Sequence, residues 1–345
     1  METKLSIVVP VYNVEKYIRP CMESIFQQGL DEDCYEVIIV NDGTKDRSME
    51  MIADIISQHQ NITVINQENQ GLSVARNNGI ATAKGAYILM PDSDDLLIEN
   101  SLKPLLEKAL ETEVDLLVAD YLSMNDQEIE EKHLHIPQQS EPAFVEKTGQ
   151  QLFLEEHDPY HCYVWRTLFK RDYLIHSNVR FVPGIRYQDV PFTHECYLKA
   201  GKCLRTSWLL NIYRRGHESA TSTFDLKRAK DFSIAIGKTW ELTKLDNLVP
   251  AELHKLHDDV FISFSMMIRL TCHYMNKRSE RVKAIHLLKQ EAPDLRFCHG
   301  KKQEIISFLY QKTPHLFMHV TYLYVKMIED RLLPYYYHHF KKSSS

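Results

Sequence analysis

The stretch AYILMPDSDD, residues 86–95, joins a short apolar run to a cluster of carboxylates. The run predicts a buried strand, and the proline after it, which cannot donate to a hydrogen-bond ladder, ends that strand. The carboxylates therefore lie at the carboxyl edge of a sheet, where open α/β sheets bind ligands. Asp92 and Asp94 are two residues apart, so one extended turn points both at a single hard cation whose shell substrate phosphates complete. Two simpler interpretations stay open: a solvated turn, or a cap in which Asp95 starts the next helix.

Three similar strand-and-loop units precede this stretch. Apolar runs at residues 5–9, 35–40 and 62–65 each predict a strand that ends in a polar loop and is followed by a helix. Downstream, residues 98–110 predict a helix and residues 114–119 a fifth strand. This alternation indicates a parallel sheet covered on both faces. The loops at its carboxyl edge then converge on one crevice.

Four sequence blocks occupy these loops: VVPVYN at residues 8–13, VNDGTKD at 40–46, NQGLSVARNNG at 69–79 and MPDSDD at 90–95. Together, and in this order, they resemble the signature blocks of family 2 of the inverting glycosyltransferases. The resemblance is strong over residues 1–120 and looser over residues 164–221. It implies the α/β GT-A nucleotide-diphospho-sugar transferase fold, which is Rossmann-like with a mainly parallel sheet. In this chain a C-terminal helical extension follows.

The resemblance also implies a domain organisation. Residues 1–222 form the catalytic domain, in which residues 1–120 bind the nucleotide sugar and residues 121–222 provide the acceptor side. Residues 223–345 form a separate helical region.

The first three blocks supply most of the donor side of the site. Asp42, at the end of the second predicted strand, can accept a hydrogen bond from a ring N–H of a base, and the resemblance implies the uracil of a UDP-sugar. The alternative is an Asx turn before Gly43. Arg76 can pair with a phosphate or with sugar-side carboxylates, or form only a buried salt bridge to an Asp of the cluster. The predicted nucleotide-sugar-binding residues are Pro10, Val11, Tyr12, Asn13, Asp42, Asn69, Gly71, Arg76, Asp92 and Ser93.

The resemblance implies a divalent cation, Mg²⁺ or Mn²⁺, on the donor diphosphate. Asp94 ligates this cation, Asp92 faces the ribose or the metal, and His217 completes the shell. A bound cation stabilises the negative charge that develops as a nucleoside diphosphate departs. For His217 the alternative is a solvated histidine in a polar loop.

The loop before a further predicted helix supplies the catalytic base. Relatives have a Glu-Asp pair here whose Asp removes the proton from the acceptor hydroxyl, and this role passes to Asp189. The preceding residue is Gln188, a departure that removes one charge near the acceptor. Asp189 is also a suitable N-cap for the helix that follows.

Two segments are predicted to act on the acceptor or to close the site. Trp165 lies in an acceptor-side segment in the resemblance, where an aromatic face suits sugar C–H surfaces; a place in the core is the alternative. Arg215 lies in a segment that closes over the donor in relatives, and it could reach the diphosphate.

The last third of the chain predicts helices at about residues 226–240, 251–275, 279–290, 302–311 and 315–333. The last of them is apolar around most of its circumference, and the sequence YYYHHFKK follows it at residues 335–342. Aromatic residues beside lysines are typical of a membrane interface. The alternative is a helix packed in a bundle or at a homodimer contact. Membrane docking would suit an acceptor glycan carried on a polyprenyl diphosphate.

Composition is that of a cytoplasmic enzyme, with the inner face of the membrane as a second location. The net charge of −6 does not favour binding to the negatively charged backbone of a nucleic acid. Seven scattered cysteines without a Cys-x-x-Cys pair favour buried thiols over disulfides. The sequence therefore predicts cell-surface polysaccharide synthesis by a glycosyltransferase. The alternatives are a nucleotidyltransferase and a non-catalytic scaffold that retains a nucleotide-sugar pocket.

Overall fold

The computed structural model describes residues 3–132, 136, 141–216, 223–297 and 299–328. These residues form two compact units. The first runs to Gly184 and resumes at Gln188, and the second takes in Ile185–Tyr187 and the chain after residue 218. His217 lies outside the described residues.

The amino-terminal half of the first unit alternates strands and helices, as the apolar runs predict. All seven residues of its first strand are buried, which explains why that run is continuously apolar. The elements are β1 (Leu5–Val11), α1 (Ile18–Phe26), β2 (Tyr35–Asn41), α2 (Ala53–Gln58), β3 (Ile62–Asn66), α3 (Leu72–Thr82), β4 (Tyr87–Leu89), β5 (Leu96–Leu97) and α4 (Leu102–Thr112).

The helix predicted at residues 98–110 begins later, at Leu102. Asn100 has a positive φ of 56°, which a helix does not allow. Residues 96–97 instead pair with a distant strand as β5. The capping interpretation of Asp95 is therefore wrong, because strand β5 follows it directly and the next helix, α4, begins only at Leu102.

The second half of the first unit completes the sheet. Its elements are β6 (Leu116–Met124), α5 (Asp126–Lys132), β7 (Phe144–Thr148), α6 (Gly149–Glu155), β8 (Thr167–Lys170), α7 (Arg171–Ser177), α8 (Asp189–Lys199) and β9 (Lys202–Arg214). The strand order is β3-β2-β1-β4-β8-β6-β9-β5, and β7 also pairs with β9. Strands β1 to β4 pair in parallel. Strand β8 runs antiparallel to both of its neighbours, so the other half of the sheet is mixed.

Helix α3 packs directly on the centre of the sheet through Gly79. A Cβ atom at this glycine would lie 2.2 Å from Cγ1 of Val8 in β1. The close approach fixes where α3 begins, at the carboxyl edge of the sheet.

The second unit contains five helices among the described residues. They are α9 (Leu226–Leu242), α10 (Pro250–Tyr274), α11 (Arg278–Glu291), α12 (Lys301–Lys312) and α13 (Pro314–Ile328). All five starts and the first four ends agree closely with the sequence periodicity, whereas the predicted end of the last helix at residue 333 and the segment 335–342 lie outside the described residues. Asp225 caps α9 by accepting the Arg228 N–H at 2.8 Å. Helix α10 starts with Pro250, and Glu252 accepts the Val249 N–H at 2.9 Å. Within the described part of the chain, every helix is too short or too polar to cross a bilayer.

Candidate functional site

Loops at the carboxyl ends of β1, β2 and β3 are tied together by hydrogen bonds. The backbone N–H of Asn13 donates to Thr44 Oγ1 at 2.8 Å. Asp42 connects the second loop to the third, since its Oδ2 accepts the Gly71 N–H and its Oδ1 accepts the Gln70 N–H, both at 2.8 Å. The predicted convergence of these loops on one crevice is therefore present.

Asp42 holds the third loop rather than its own turn. Its side chain is 3% exposed, and Gln67 Nε2 also donates to Oδ1 at 2.8 Å. The Asx-turn interpretation is wrong, because these partners lie 25 to 29 residues away. Among the described residues Oδ2 accepts only the Gly71 N–H, which leaves acceptor capacity for a ligand N–H.

The other predicted donor-side residues differ in what they can offer. Pro10 and Val11 are buried in β1, so they can offer only backbone, whereas the side chain of Tyr12 is 42% exposed. Asn13 and Asn69 are exposed at the loop tips, and Ser93 is 8% exposed. Gly71 caps α3 at φ 88° and ψ 163°, a conformation essentially restricted to glycine.

Arg76 joins the donor side to the acceptor side. It lies on α3, is fully buried, and donates from Nη2 to Asp92 Oδ1 at 2.5 Å and from Nη1 to Asp189 Oδ1 at 2.6 Å. The Phe181 ring lies against the guanidinium, with 5.2 Å between Cζ and the ring centroid. Arg76 thus forms a buried salt bridge to an Asp of the cluster, as its alternative interpretation predicts. The same bridge brings the metal-side carboxylate and the predicted base to one point.

The two carboxylates that flank Arg76 both have raised pKa values. Burial raises the pKa of Asp189, and the charge of Arg76 and hydrogen bonds from Arg76 and Gln188 oppose that rise without cancelling it. Burial also raises the pKa of Asp92, with Asp94 and Asp189 adding repulsion and Arg76 opposing it. Both carboxyl groups are therefore better proton acceptors than an exposed Asp.

Asp189 begins α8 and does not cap it. Helix α8 starts at Asp189 itself, and the N-cap position is Gln188, which makes no side-chain cap bond. Gln188 is 3% exposed and donates from Nε2 to Asp189 Oδ1 at 2.6 Å. The capping interpretation of Asp189 is wrong, because the carboxylate turns toward Arg76. Gln188, the departure from the family pattern, directly supports the predicted base.

Asp92, Asp94 and Asp95 form a site that fits a hard divalent cation. One carboxylate oxygen from each lies within 4.8 Å of the other two. Asp95 is 2% exposed, its Oδ2 is buried with no hydrogen-bond partner among the described residues, and burial beside Asp92 and Asp94 raises its pKa. An all-oxygen donor set with an orphaned buried oxygen suits Mg²⁺ or Mn²⁺.

Arg214, which the sequence interpretation passed over, holds the carboxylate loop in place. As the last residue of β9 it donates from its backbone N–H to Asp95 Oδ1 at 2.8 Å and from Nε to the Asp94 carbonyl at 2.9 Å. It also pairs with Asp126 and lies over the Tyr17 ring at 4.9 Å. The predicted closing residue Arg215 is instead 55% exposed and pairs with Glu128 at 3.3 Å.

Aromatic rings line one side of the carboxylate cluster. Trp165 is 1% exposed, and its ring lies 4.8 Å from that of Tyr163 and 5.8 Å from that of Tyr213, centroid to centroid; the two tyrosine rings are 5.4 Å apart. The core interpretation of Trp165 is therefore the one that the structure contains. Tyr213 is half-buried, and burial together with Asp95, Asp94 and Asp92 raises its pKa. Tyr121, Tyr163 and Tyr213 are partly exposed rings that the sequence interpretation missed.

Comparisons with known proteins agree on the fold. The family model described as Glycosyl transferase family 2 matches residues 6–175. The chain is 30% identical over 240 residues to Glycosyltransferase GlyG of Streptococcus pneumoniae, covering 67% of this chain and 77% of that protein. It is 34% identical over 221 residues to the Bacillus subtilis protein named Uncharacterized glycosyltransferase EpsJ, covering 63% of this chain and 62% of that one. The chain thus spans less than two thirds of EpsJ.

Among solved structures, S. aureus TarS 1–349 in complex with UDP-GlcNAc superposes with a TM-score of 0.69 at 21% identity. The match covers 84% of this chain and 80% of TarS 1–349. It confirms the predicted GT-A fold, with helices after the catalytic sheet.

Proposed function

The chain belongs to glycosyl transferase family 2, and from this premise we propose that it moves a sugar from a UDP-sugar to a hydroxyl of a glycan or lipid-linked acceptor, with inversion at the anomeric carbon. The observation that carries the proposal is the double salt bridge of Arg76. It holds a donor-side carboxylate and a carboxylate from the acceptor side within reach of one substrate.

The donor binds across the loops of the first three strands. Asp42 accepts the ring N–H of uracil through the remaining capacity of Oδ2. Tyr12 and Asn69 border the base and ribose from the exposed loop tips. Binding of UDP-GlcNAc by TarS, a protein of the same fold, supports a UDP-sugar as the donor.

Asp92 and Asp94 would hold a divalent cation, Mg²⁺ or Mn²⁺, with Asp95 behind them. Such a cation supplies charge stabilisation for the departing diphosphate. Arg214 fixes the backbone of this loop from behind. His217 is proposed as a further ligand from the segment after β9.

Asp189 removes the proton from the acceptor hydroxyl. Its raised pKa makes it a stronger base than an ordinary Asp, and Arg76 and Gln188 orient its Oδ1. The hydroxyl then attacks from the face opposite the leaving group, so an α-linked donor yields a β-glycoside. The acceptor sugar lies against the exposed edges of Tyr163 and Tyr213, which Trp165 supports from the core.

The last helix of the second unit supports docking on a membrane that carries the acceptor. Residues Leu316, Val320, Leu323, Tyr324 and Met327 of α13 are all exposed and recur at helical spacing, which makes one apolar stripe. Phe317, Met318 and Val325 are buried instead. The helix contains no Asp or Glu, and the preceding helix α12 carries exposed lysines at positions 301, 302 and 312. An apolar stripe beside lysines suits an anionic membrane surface on the cytoplasmic side.

A screen of nucleotide sugars by released nucleoside diphosphate tests the proposal. We expect one UDP-sugar to be turned over in the presence of Mg²⁺ or Mn²⁺ and a glycan or polyprenyl-diphosphate acceptor. Calorimetry with UDP on the same preparation is the control. Tight UDP binding without turnover of any donor would favour a non-catalytic scaffold over the enzyme.

A further inference from the structure

Two histidines and a cysteine meet inside the first unit, away from the carboxylate cluster. His157 follows α6, Cys162 lies in the loop after it, and His194 lies on α8. Their exposed fractions are 8%, 7% and 0%. One ring nitrogen of each histidine and the Cys162 sulfur lie within 4.8 Å of one another. We propose that these three side chains bind a zinc ion.

The spacing of the atoms fits zinc coordination. Zinc–nitrogen and zinc–sulfur bonds are about 2.0–2.1 and 2.3 Å, so a tetrahedral ion separates a bound nitrogen from a bound sulfur by about 3.6 Å. The Cys162 sulfur lies 3.6 Å from His157 Nε2. One edge of the tetrahedron is thus already at its final length.

The second histidine is oriented by its backbone partner. The Val190 carbonyl lies 2.6 Å from His194 Nδ1. Because a carbonyl only accepts, Nδ1 carries the proton and Nε2 of the neutral ring carries the lone pair. A hydrogen bond from the other ring nitrogen to a carbonyl is the usual way in which proteins orient a metal-binding histidine.

The residue types select zinc over the cation of the donor site. A thiolate and two imidazoles are soft to borderline ligands that suit Zn²⁺, whereas Mg²⁺ and Mn²⁺ prefer the oxygens of Asp92 and Asp94. Phe153 and Tyr197 surround the histidine rings, with centroids 5.4 and 5.5 Å from that of His157. Water completes the fourth position.

The zinc ion would join α8 to the segment between α6 and β8. Helix α8 begins with Asp189, and the other segment leads into Tyr163 and Trp165. The metal would therefore fix the acceptor side of the crevice without touching substrate.

Cobalt provides a direct test on the full chain, because a cobalt–thiolate bond has a charge-transfer absorption that carboxylate and imidazole ligands lack. The chain is stripped with chelator and titrated with Co²⁺ in excess Mg²⁺. We expect one Co²⁺ per chain with the thiolate band, displaced by Zn²⁺. Cys162→Ala and His194→Gln should each weaken Co²⁺ binding by at least about 100-fold, since loss even of a residue that only hydrogen-bonds to a metal ligand costs about 10–100-fold. Cys196→Ala, an equally buried cysteine on α8, should leave binding unchanged.

A measurement on the unmodified chain covers the case in which a variant does not fold. Zinc should slow alkylation of Cys162, mapped by mass spectrometry, and leave alkylation of the half-buried Cys34 unchanged. Absence of the thiolate band, or unchanged alkylation of Cys162, overturns the proposal. Retention of the metal by folded Cys162→Ala also overturns it and points to His254, Asp258 and His299 in the second unit.

Discussion

Arg76 supplies the positive charge that pairs with the carboxylates of Asp92 and Asp189. Without it, both negative charges would lie in a largely buried position with no cation beside them. Arg76 is fully buried and pairs with Asp92 and Asp189 at 2.5 and 2.6 Å. Removal of one partner of a buried ion pair costs far more than the pair contributes, because a buried charge is left unpaired. Arg76 therefore contributes to the stability of the protein as well as to the geometry of the site.

Replacement of Arg76 tests this dual role. Arg76→Gln should lower the free energy of unfolding by up to about 3–5 kcal/mol at neutral pH, because the Asp92 and Asp189 side chains, which are only 29% and 28% exposed, lose their cation. Urea denaturation measures the change. The control is Arg19→Gln, whose partner Asp54 is half exposed, and that change should cost about 0–1 kcal/mol. Equal losses in the two variants would show that the bridge of Arg76 is not the source of stability.

Asp189 is the residue that we propose as the catalytic base. Asp189→Asn cannot take the acceptor proton, so kcat should fall by at least about 100-fold. UDP affinity, measured by calorimetry, should stay unchanged. In the wild-type enzyme kcat/KM should fall as pH drops through the raised pKa of Asp189, above the ordinary range for Asp, and the variant should lack this limb. A variant with near-normal turnover would assign the base to another residue.

Asp94 is the carboxylate most directly assigned to the cation. Asp94→Ala should abolish Mn²⁺-dependent donor binding and lower turnover by orders of magnitude. Its unfolding free energy should change by about 1 kcal/mol or less, as expected for a site on a loop. Asp33→Ala, an exposed acidic residue before β2, is the control. Full activity of the wild-type enzyme in chelator would remove the metal from the mechanism.

At the level of elements, the sequence predicted what local periodicity determines. Strands β1 to β3 and the five helices of the second unit, apart from the end of the last one, were predicted nearly to the residue, because each carries a sustained apolar pattern. Strand β8 has four residues and depends on pairing with β4 and β6, which are distant in sequence. Local pattern cannot reveal such a strand.

The residues of the candidate site also fall into those that local sequence could identify and those that it could not. Asp42, Asp92 and Asp189 follow recognisable strand ends or precede a helix, so their loops could be identified from sequence. The contribution of Arg214 could not, because it consists of bonds to backbone and side chain across 119 and 120 residues. The partners of Asp42 were missed for the same reason.

The contact between α3 and β1 leads to a prediction at this scale. Gly79→Ala places a methyl group 2.2 Å from Cγ1 of Val8, and overpacking of this kind costs about 1–3 kcal/mol. Val8→Ala in the same chain should recover part of that loss. Gly201→Ala is the control, because its new Cβ would meet only Asp115 Oδ2 at 3.4 Å. Urea midpoints compare wild type, Gly79→Ala, Val8→Ala, the double variant and Gly201→Ala, and additive losses for Gly79 and Val8 would contradict the contact.

At the level of the whole molecule, the apolar stripe of α13 is the feature to test. Seven of the fifteen large apolar side chains that are exposed among the described residues lie on α12 and α13. The triple change Val320→Glu, Leu323→Glu and Met327→Glu should abolish flotation with anionic liposomes, because it removes apolar area and adds repulsion. Thermal stability should persist, since all three side chains are exposed.

The control adds two glutamates to exposed apolar positions of the first unit. Val145→Glu with Ile175→Glu changes exposed apolar residues outside α13 and should leave flotation intact. Analytical sedimentation tests the alternative interpretation, in which the apolar stripe of α13 is a homodimer contact. A wild-type dimer that ignores liposomes and dissociates on the triple change would make the stripe a contact between two copies.

The strand order has a consequence for the chain as it leaves the ribosome. Strand β8 lies between β4 and β6 in the sheet, although β6 is synthesised before β8. One edge of β4 therefore stays unpaired from the synthesis of Leu89 until the synthesis of Thr167, 78 residues later. At about 5–20 residues per second this interval lasts roughly 4–16 s. An open strand edge pairs readily with other chains. For several seconds, aggregation through this unpaired edge of the nascent chain therefore competes with completion of the sheet. Chaperones would act at that stage.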